Sequence, residues 1–73
     1  MTAGGGRGRV TNRVRKLREA AGLTQSELAE RVHATRQTII AVEAEKYAPS
    51  LELAFRLARV FRVPFETVFH YDD

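Results

Sequence analysis

The clearest structural signal in this 73-residue sequence is a helix start, LTQSEL at residues 23–28. Thr24 is a favoured N-cap residue, and Glu27 stands three residues later, where its carboxylate can accept a hydrogen bond from the Thr24 N–H in a capping box. Leu23 and Leu28 have the spacing of a hydrophobic staple around this pair. A helix is therefore predicted to begin directly after Thr24.

A second helix follows after a very short turn. The helix that begins at Gln25 is predicted to end at His33 and Ala34, a pair that leaves room only for a tight turn. Thr35 then offers a new N-cap, and the apolar spacing predicts a helix over 36–44. Two short helices joined by such a turn, with polar residues opening the second, have the geometry of a helix-turn-helix.

Periodic apolar residues predict three further helices, so we expect an all-α fold of five helices. The first spans about 11–21 and ends at Gly22 in a left-handed C-cap. The fourth is capped by Ser50, and a short fifth is opened by Pro64. The apolar residues of these three helices are Val10, Val14, Leu17 and Ala21, then Leu53, Leu57 and Phe61, and finally Phe65, Val68 and Phe69.

The length and composition indicate one small globular domain. Hydrophobic residues make up 44% of the chain and charged residues 29%, which is too apolar for a disordered chain. We place the domain at residues 10–73 and interpret the glycine-rich residues 1–9 as a flexible basic arm. There is no cysteine, and His33 lies far from His70 in the sequence, so we expect no disulfide, metal or other cofactor. The apolar runs are too short for a membrane span or a signal peptide, which predicts a cytoplasmic protein.

Charge is distributed unevenly along the chain. Its formal net charge is +3, with twelve Lys and Arg against nine Asp and Glu. Residues 1–18 contain six basic and no acidic residues, whereas residues after Val63 include only acidic charges. Arginine provides most of the positive charge, and its planar fork suits phosphate and guanine. A GC-rich coding sequence would produce the same arginine bias, and the sequence leaves both explanations open.

Longer segments resemble a known family. The run LREAAGLTQSELA at residues 17–29, followed by TRQTI at 35–39, closely resembles the phage repressor and Cro-like (XRE-type) helix-turn-helix regulators. The segments KYAPSL at 46–51 and FRVPF at 61–65 resemble a compact, single-domain branch of that family. The resemblance covers about residues 10–69. It implies a DNA-binding domain whose third helix enters the major groove.

The resemblance also implies a set of site residues. Gln25 matches a position that binds the phosphate backbone, and Arg36, Gln37 and Thr38 open the recognition helix. Arginine suits the O6 and N7 atoms of guanine, and glutamine suits the N6 and N7 atoms of adenine. Arg18 and Glu43 match a structural salt bridge of some members. The complete set of predicted DNA-binding residues is Thr24, Gln25, Thr35, Arg36, Gln37, Thr38, Ile40, Ala41 and Lys46.

Several positions depart from the family pattern. His33 stands at a turn position where glycine is frequent, and we interpret it as a turn residue because histidine tolerates a left-handed backbone better than most side chains. Glu45 and Arg62 also stand where glycine is frequent, at the ends of the third and fourth helices, which weakens those predicted C-caps. Glu45 also places a negative charge beside Lys46, where a phosphate contact is expected. Ile40 points toward the predicted groove side, where it is either a contact for a thymine methyl group or a partly buried edge residue.

Aromatic residues concentrate near the C-terminus. We assign Phe61 and Phe65 to the core, and Val68, Phe69 and Tyr71 to the interface of a homodimer, because one short helix cannot easily bury them all. The competing interpretation is that Val68 and Phe69 close the monomer core and that dimers form only on DNA.

No arrangement of residues supports catalysis, since the sequence offers neither a nucleophile with a base nor a phosphate-binding glycine motif. The leading hypothesis is a DNA-binding transcriptional regulator, a repressor or autoregulator, that binds a two-fold operator in double-stranded DNA as a dimer. No membrane or small-molecule ligand is expected. The alternative is a protein-interaction module, such as an antitoxin or adaptor, whose DNA binding is secondary.

Overall fold

The computed structural model describes residues 8–72 of the chain. These residues form five helices and two short strands. In chain order the elements are β1 (Arg9–Asn12), α1 (Val14–Ala20), α2 (Gln25–Arg31), α3 (Arg36–Glu43), α4 (Leu51–Phe61), α5 (Phe65–Val68) and β2 (Phe69–Asp72). The five predicted helices are therefore confirmed, and α2 and α3 begin at the predicted residues.

The expectation of a purely helical fold is wrong. β1 and β2 pair antiparallel, with Val10 opposite Tyr71 and Asn12 opposite Phe69. Periodicity could not reveal these strands, because four residues are too few to show a period of two. Their pairing could not be predicted either, because one strand lies near each end of the chain. Val10 matched the helical spacing of α1 by coincidence, and α1 begins only at Val14.

The predicted arm lies mostly outside the described residues, which begin at Gly8. Arg9, which we had placed in the arm, is the first residue of β1.

Four helices end in the same backbone motif. Each is followed by a residue with left-handed φ, namely Gly22 (73°), His33 (59°), Glu45 (58°) and Arg62 (57°). In all four, the next residue donates its N–H to the carbonyl five positions earlier, at 2.9–3.2 Å, as in a Schellman motif. The positions where glycine was expected thus keep the left-handed conformation without glycine.

The core lies where the five helices and the sheet meet. Its fully buried side chains come from every helix, and the largest are Leu28, Ile39, Leu57, Val14, Val32, Val42 and Val68. Ala29 is buried where α2 packs on α3, as a close crossing of these helices requires. This packing fixes α3 by its inner face and leaves its other face for contacts outside the domain.

Candidate nucleic-acid interface

The turn between α2 and α3 sets the angle of the helix pair. Val32 is buried at the end of α2, and His33 takes the left-handed conformation. The Ala34 N–H donates to the Ala29 carbonyl at 2.9 Å, which closes the turn back on α2. Thr35 then starts α3, so only three residues separate the last turn of α2 from the cap of α3.

The start of α2 is stabilised by a complete capping box. The Thr24 hydroxyl accepts from the Glu27 N–H at 3.0 Å, and the Thr24 N–H donates to Glu27 Oε1 at 2.8 Å. These bonds from the Thr24 backbone and hydroxyl hold the pKa of Glu27 below its ordinary value. Thr24 is therefore engaged in capping, and its side chain is exposed beside the half-buried Gln25.

The start of α3 is capped by Thr35, and the two side chains that follow the cap point into solvent-exposed positions. The Thr35 hydroxyl accepts from the Thr38 N–H at 3.1 Å and lies 3.0 Å from the Thr38 hydroxyl. Arg36 and Gln37 are exposed, and among residues 8–72 neither side chain takes part in a hydrogen bond or ion pair. The first turn of α3 therefore presents two long polar side chains to the surroundings.

The far end of α3 is tied to both α1 and α2 through Glu43. Arg18 Nε donates to Glu43 Oε2 at 2.6 Å, and Arg18 Nη2 reaches Oε1 at 3.3 Å. Gln25 Nε2 donates to the same Oε1 at 3.1 Å, while Arg18 Nη1 donates to the Leu23 carbonyl at 2.9 Å. The hydrogen bond with Glu43 is the main reason why the pKa of Arg18 is raised.

This ion pair is shielded from solvent. The side chains of Arg18 and Glu43 are 12% and 6% exposed. The structure thus brings together the two residues that the family resemblance paired, and adds Gln25 to them. The Gln25 amide is held at the helix start by one of its two N–H groups.

A polar groove runs along this side of the helix-turn-helix. It encloses about 630 Å³ and is lined by Arg15, Arg18, Gln25, Ile40 and Glu43 among others. Ile40 is half-buried at its wall, as a partly buried edge residue would be, and its contact with a thymine methyl group stays a prediction. Of the other predicted DNA-binding residues, Thr38 and Ala41 are half-buried and Lys46 is exposed just after α3.

Sequence reasoning missed a second polar junction at the end of α3. The Glu45 carboxylate accepts from the Asn12 N–H at 3.1 Å and from Arg9 Nη2 at 2.9 Å. Asn12 Nδ2 donates in turn to the Val42 carbonyl at 2.9 Å. The sequence marks Glu45 as a replacement for glycine and as a negative charge beside Lys46, but no sequence signal joins it to a residue 33 positions away.

Two of the three predicted dimer-interface residues belong to the monomer core. Val68 is 0% exposed and Phe69 is 7% exposed, so neither is available to a second subunit. They lie at the end of α5 and the start of β2, a strand that the sequence did not predict. Tyr71, whose exposed fraction is 62%, stays accessible.

Comparison with known proteins identifies the family. A family model described as a helix-turn-helix, HTH_3, matches residues 14–68, which is the stretch from α1 to α5. The chain belongs to the XRE-type, Cro-like helix-turn-helix family. Members of this family are DNA-binding transcriptional regulators, and the predicted resemblance is confirmed.

Similar proteins of this helix-turn-helix family occur in archaea and bacteria. One from Archaeoglobus fulgidus is 48% identical over 64 residues, covering 88% of this chain and 91% of its own. MJ0272 of Methanocaldococcus jannaschii is 47% identical and YgzD of Bacillus subtilis 40% identical, each over 88% of this chain and 97% of its own. All three are named as uncharacterized HTH-type transcriptional regulators.

The fold of this helix-turn-helix protein also recurs among solved structures. The crystal structure of a Bacteroides fragilis protein superposes with a TM-score of 0.75 at 23% identity, covering 84% of this chain and 98% of that one. Within residues 8–72, no helix is long and apolar enough to cross a membrane.

Proposed function

We propose that this helix-turn-helix protein is a sequence-specific DNA-binding regulator that represses transcription, its own included, by occupying a two-fold operator as a dimer. One observation carries the proposal: α3 is fixed at its C-terminal end by Glu43, while Arg36 and Gln37 at its start are exposed and unengaged by residues 8–72. A rigid helix with free polar side chains at its N-terminal end is what reading base edges in a major groove requires.

Arg36 and Gln37 are the base-reading residues in this proposal. Arginine donates two parallel hydrogen bonds to guanine O6 and N7, and glutamine pairs with adenine N6 and N7. Thr38 lies on the same first turn of α3, where its hydroxyl already meets that of Thr35. Ile40 and Ala41 contribute apolar contacts, for which a thymine methyl group is the natural partner.

Other residues of the same surface contact the DNA backbone. Thr24, Gln25 and Thr35 lie at the starts of α2 and α3, and Lys46 follows α3. The Gln25 amide is well suited to a phosphate because Glu43 holds one of its N–H groups and leaves the other available. These contacts set the register of the protein on the duplex, whereas those of α3 set the sequence preference.

The second subunit of the dimer binds an apolar groove on another face. This groove encloses about 430 Å³, and its larger lining residues are Val10, Leu51, Phe65, His70 and Tyr71, with the little-exposed Phe69. Phe55 extends it, since its ring centroid lies 5.3 Å from that of Phe65. We refer to this surface as the apolar groove.

The size of this surface supports a second copy as its partner. Leu51, Phe55 and Tyr71 are 68%, 51% and 62% exposed. Because an aromatic side chain presents about 150–250 Å², the exposed parts of these residues amount to roughly 300–400 Å². A standard interface needs about 800 Å² from each partner, of which somewhat over half is apolar. The apolar groove therefore supplies most of the apolar share for one subunit.

Its chemistry also limits what can bind there. No lysine, arginine, aspartate or glutamate lines it, so DNA is not a suitable ligand. The residues before Gly8 are glycine, alanine, threonine, arginine and the initial methionine, which offer little to fill an apolar cleft. Another copy of the chain presents a matching apolar face, as two-fold association requires.

Selection from a pool of random duplexes tests the proposed function. The protein should enrich one sequence with two-fold symmetry, whose half-sites lie about 34 Å apart so that two recognition helices reach successive major grooves. A pool that shows no enrichment over the unselected duplexes would contradict sequence-specific binding. A pull-down from native cells that recovers one stoichiometric protein partner, with no genomic footprint, would instead support the antitoxin or adaptor alternative.

A further inference from the structure

The end of the recognition helix α3 meets β1 in a compact polar junction, formed by Arg9, Asn12 and Glu45. The Glu45 carboxylate accepts from the Asn12 N–H and from Arg9, at 3.1 and 2.9 Å. Asn12 Nδ2 donates to the Val42 carbonyl at 2.9 Å, and Asn12 Oδ1 accepts from the Val14 N–H at 3.0 Å. This β1–α3 junction therefore joins the last turn of α3 to both β1 and the start of α1.

Glu45 holds its place in this junction against the preference of its backbone. Its φ of 58° lies in the left-handed region, where glycine is unstrained and a residue with Cβ is not. Strain of this kind persists where the surrounding contacts impose it, and at all three non-glycine helix ends the Schellman backbone hydrogen bond does so. His33 and Arg62 have almost the same φ, yet neither side chain makes a hydrogen bond within residues 8–72. Glu45 is therefore different from the other two non-glycine helix ends.

The junction completes the support of α3. Glu43 ties the last turn of the helix to α1 and α2 on one side, and the junction ties the same end to β1 on another. An eight-residue helix is about 12 Å long, so a small rotation about its C-terminal end displaces the side chains at its start. Binding groups must be held to about 0.5 Å for productive contacts, and such precision comes from supporting hydrogen bonds.

We propose that Asn12 and Glu45 are positioning residues for base recognition, which hold α3 in the orientation that Arg36 and Gln37 need. This inference rests on the DNA-binding function proposed above. Arg9 has a second effect at the junction, because its guanidinium neutralises the Glu45 carboxylate that would otherwise lie unpaired next to Lys46. The acidic replacement of glycine is thus compatible with a phosphate contact by the neighbouring lysine.

Glu45→Gly is the most informative variant, since it removes the carboxylate and relieves the backbone at once. Affinities for the selected operator and for an unrelated duplex are compared at a temperature where circular dichroism shows every variant to be folded. We expect the ratio of specific to non-specific affinity to fall about tenfold. Non-specific affinity should hold or rise, because losing a negative charge favours phosphate binding. If Glu45 acted only through its charge, Glu45→Gly would instead raise the affinity for the operator.

Two further substitutions and one control isolate the side chain. Glu45→Gln keeps an acceptor for the Asn12 N–H and should retain the ratio within about twofold. Glu45→Asn tolerates left-handed φ but is one methylene too short, so it should behave like Glu45→Gly and replaces it if that variant does not fold. Arg62→Gly makes the same backbone change at the end of α4 and should leave the ratio unchanged.

The possible outcomes separate this inference from the proposed function. If the wild type prefers its operator and both Glu45→Gly and Glu45→Asn keep that preference, the junction has only a structural role and the inference is wrong. An equal loss in Arg62→Gly would also overturn it. A wild type with no sequence preference would overturn the proposed function itself, before any variant is compared.

Discussion

At the scale of single residues, what the sequence could predict depends on whether both partners lie within a recognisable motif. Arg18 and Glu43 were paired from the family resemblance, and the structure places them 2.6 Å apart. Asn12 also binds Glu45, through its backbone N–H at 3.1 Å, but each residue alone is an ordinary polar residue in the sequence. Their pairing follows from the position of β1, which no local pattern predicted. Long-range polar contacts of this kind become visible only once the fold is known.

The buried pair makes a direct prediction about stability. Glu43→Gln leaves the Arg18 guanidinium without its counter-charge in a largely buried site. The free energy of unfolding should therefore fall by about 3 kcal/mol. This is the lower end of the range for a broken buried pair, since glutamine keeps an acceptor oxygen. Thermal and urea unfolding measure the change. Glu19→Gln in the exposed Arg15–Glu19 pair is the matched control and should shift stability by less than about 1 kcal/mol.

A Glu43→Gln protein as stable as the wild type would show that Arg18 finds solvent or another acceptor in solution. The hydrogen bonds that fix α3 to α1 would then have to be reassigned.

At the scale of the elements, helix starts were predicted better than helix ends or strands. Thr24, Thr35 and Ser50 all cap the helices that follow them, because a cap and its first turn are adjacent in sequence. Glu45 and Arg62 in place of glycine predict weakened helix ends, yet both ends keep the Schellman hydrogen bonds, as does the turn at His33. Backbone hydrogen bonds and tertiary packing impose the left-handed conformation there, and residue type alone does not report it. The sheet escaped prediction because its strands are short and far apart in sequence.

The capping box of α2 predicts a dependence of stability on pH. Because the pKa of Glu27 is lowered in the folded state, its charge stabilises the fold above its ordinary value of 4.5. That contribution is lost as the pH falls through the lowered pKa. Glu27→Gln retains a capping group but not the charge. The difference in free energy of unfolding between the wild type and Glu27→Gln should therefore be largest near neutral pH and shrink below pH 4.5. A difference that is the same at pH 7 and pH 3 would contradict this assignment.

At the scale of the whole molecule, the sequence placed the core largely in the right helices but left two core residues, Val68 and Phe69, outside it. Val68 and Phe69 were assigned to a dimer interface because a five-helix domain seemed too small to bury them. The structure buries both in the core, at the end of α5 and the start of the unpredicted β2. The exposed apolar surface lies instead around Leu51, Phe55 and Tyr71. Exposure of a helix face depends on what packs beside it, which spacing along one helix does not reveal.

Association through the apolar groove is tested by Phe55→Glu. Its ring is half exposed, so the charge is tolerated by the monomer but not in a closed interface. Sedimentation equilibrium at micromolar concentration should show a dimer for the wild type and a folded monomer for Phe55→Glu. Ala20→Glu on the exposed side of α1 is the control and should remain dimeric.

Phe69→Glu should unfold, since it places a charge in the core. A folded, dimeric Phe55→Glu protein would rule out the apolar groove as the interface.

The most direct test of base recognition by α3 is the affinity of Arg36→Ala for the selected operator and for an unrelated duplex. Loss of a bidentate contact to one base pair should cost about 1–3 kcal/mol on the operator and relax the preference at that position. Arg59→Ala removes an exposed arginine from α4 and is the control. Arg36→Ala should change the affinity for the unrelated duplex by no more than this control does. If Arg36→Ala weakens binding to both duplexes equally, Arg36 contacts phosphate, and α3 does not read sequence through its first residue.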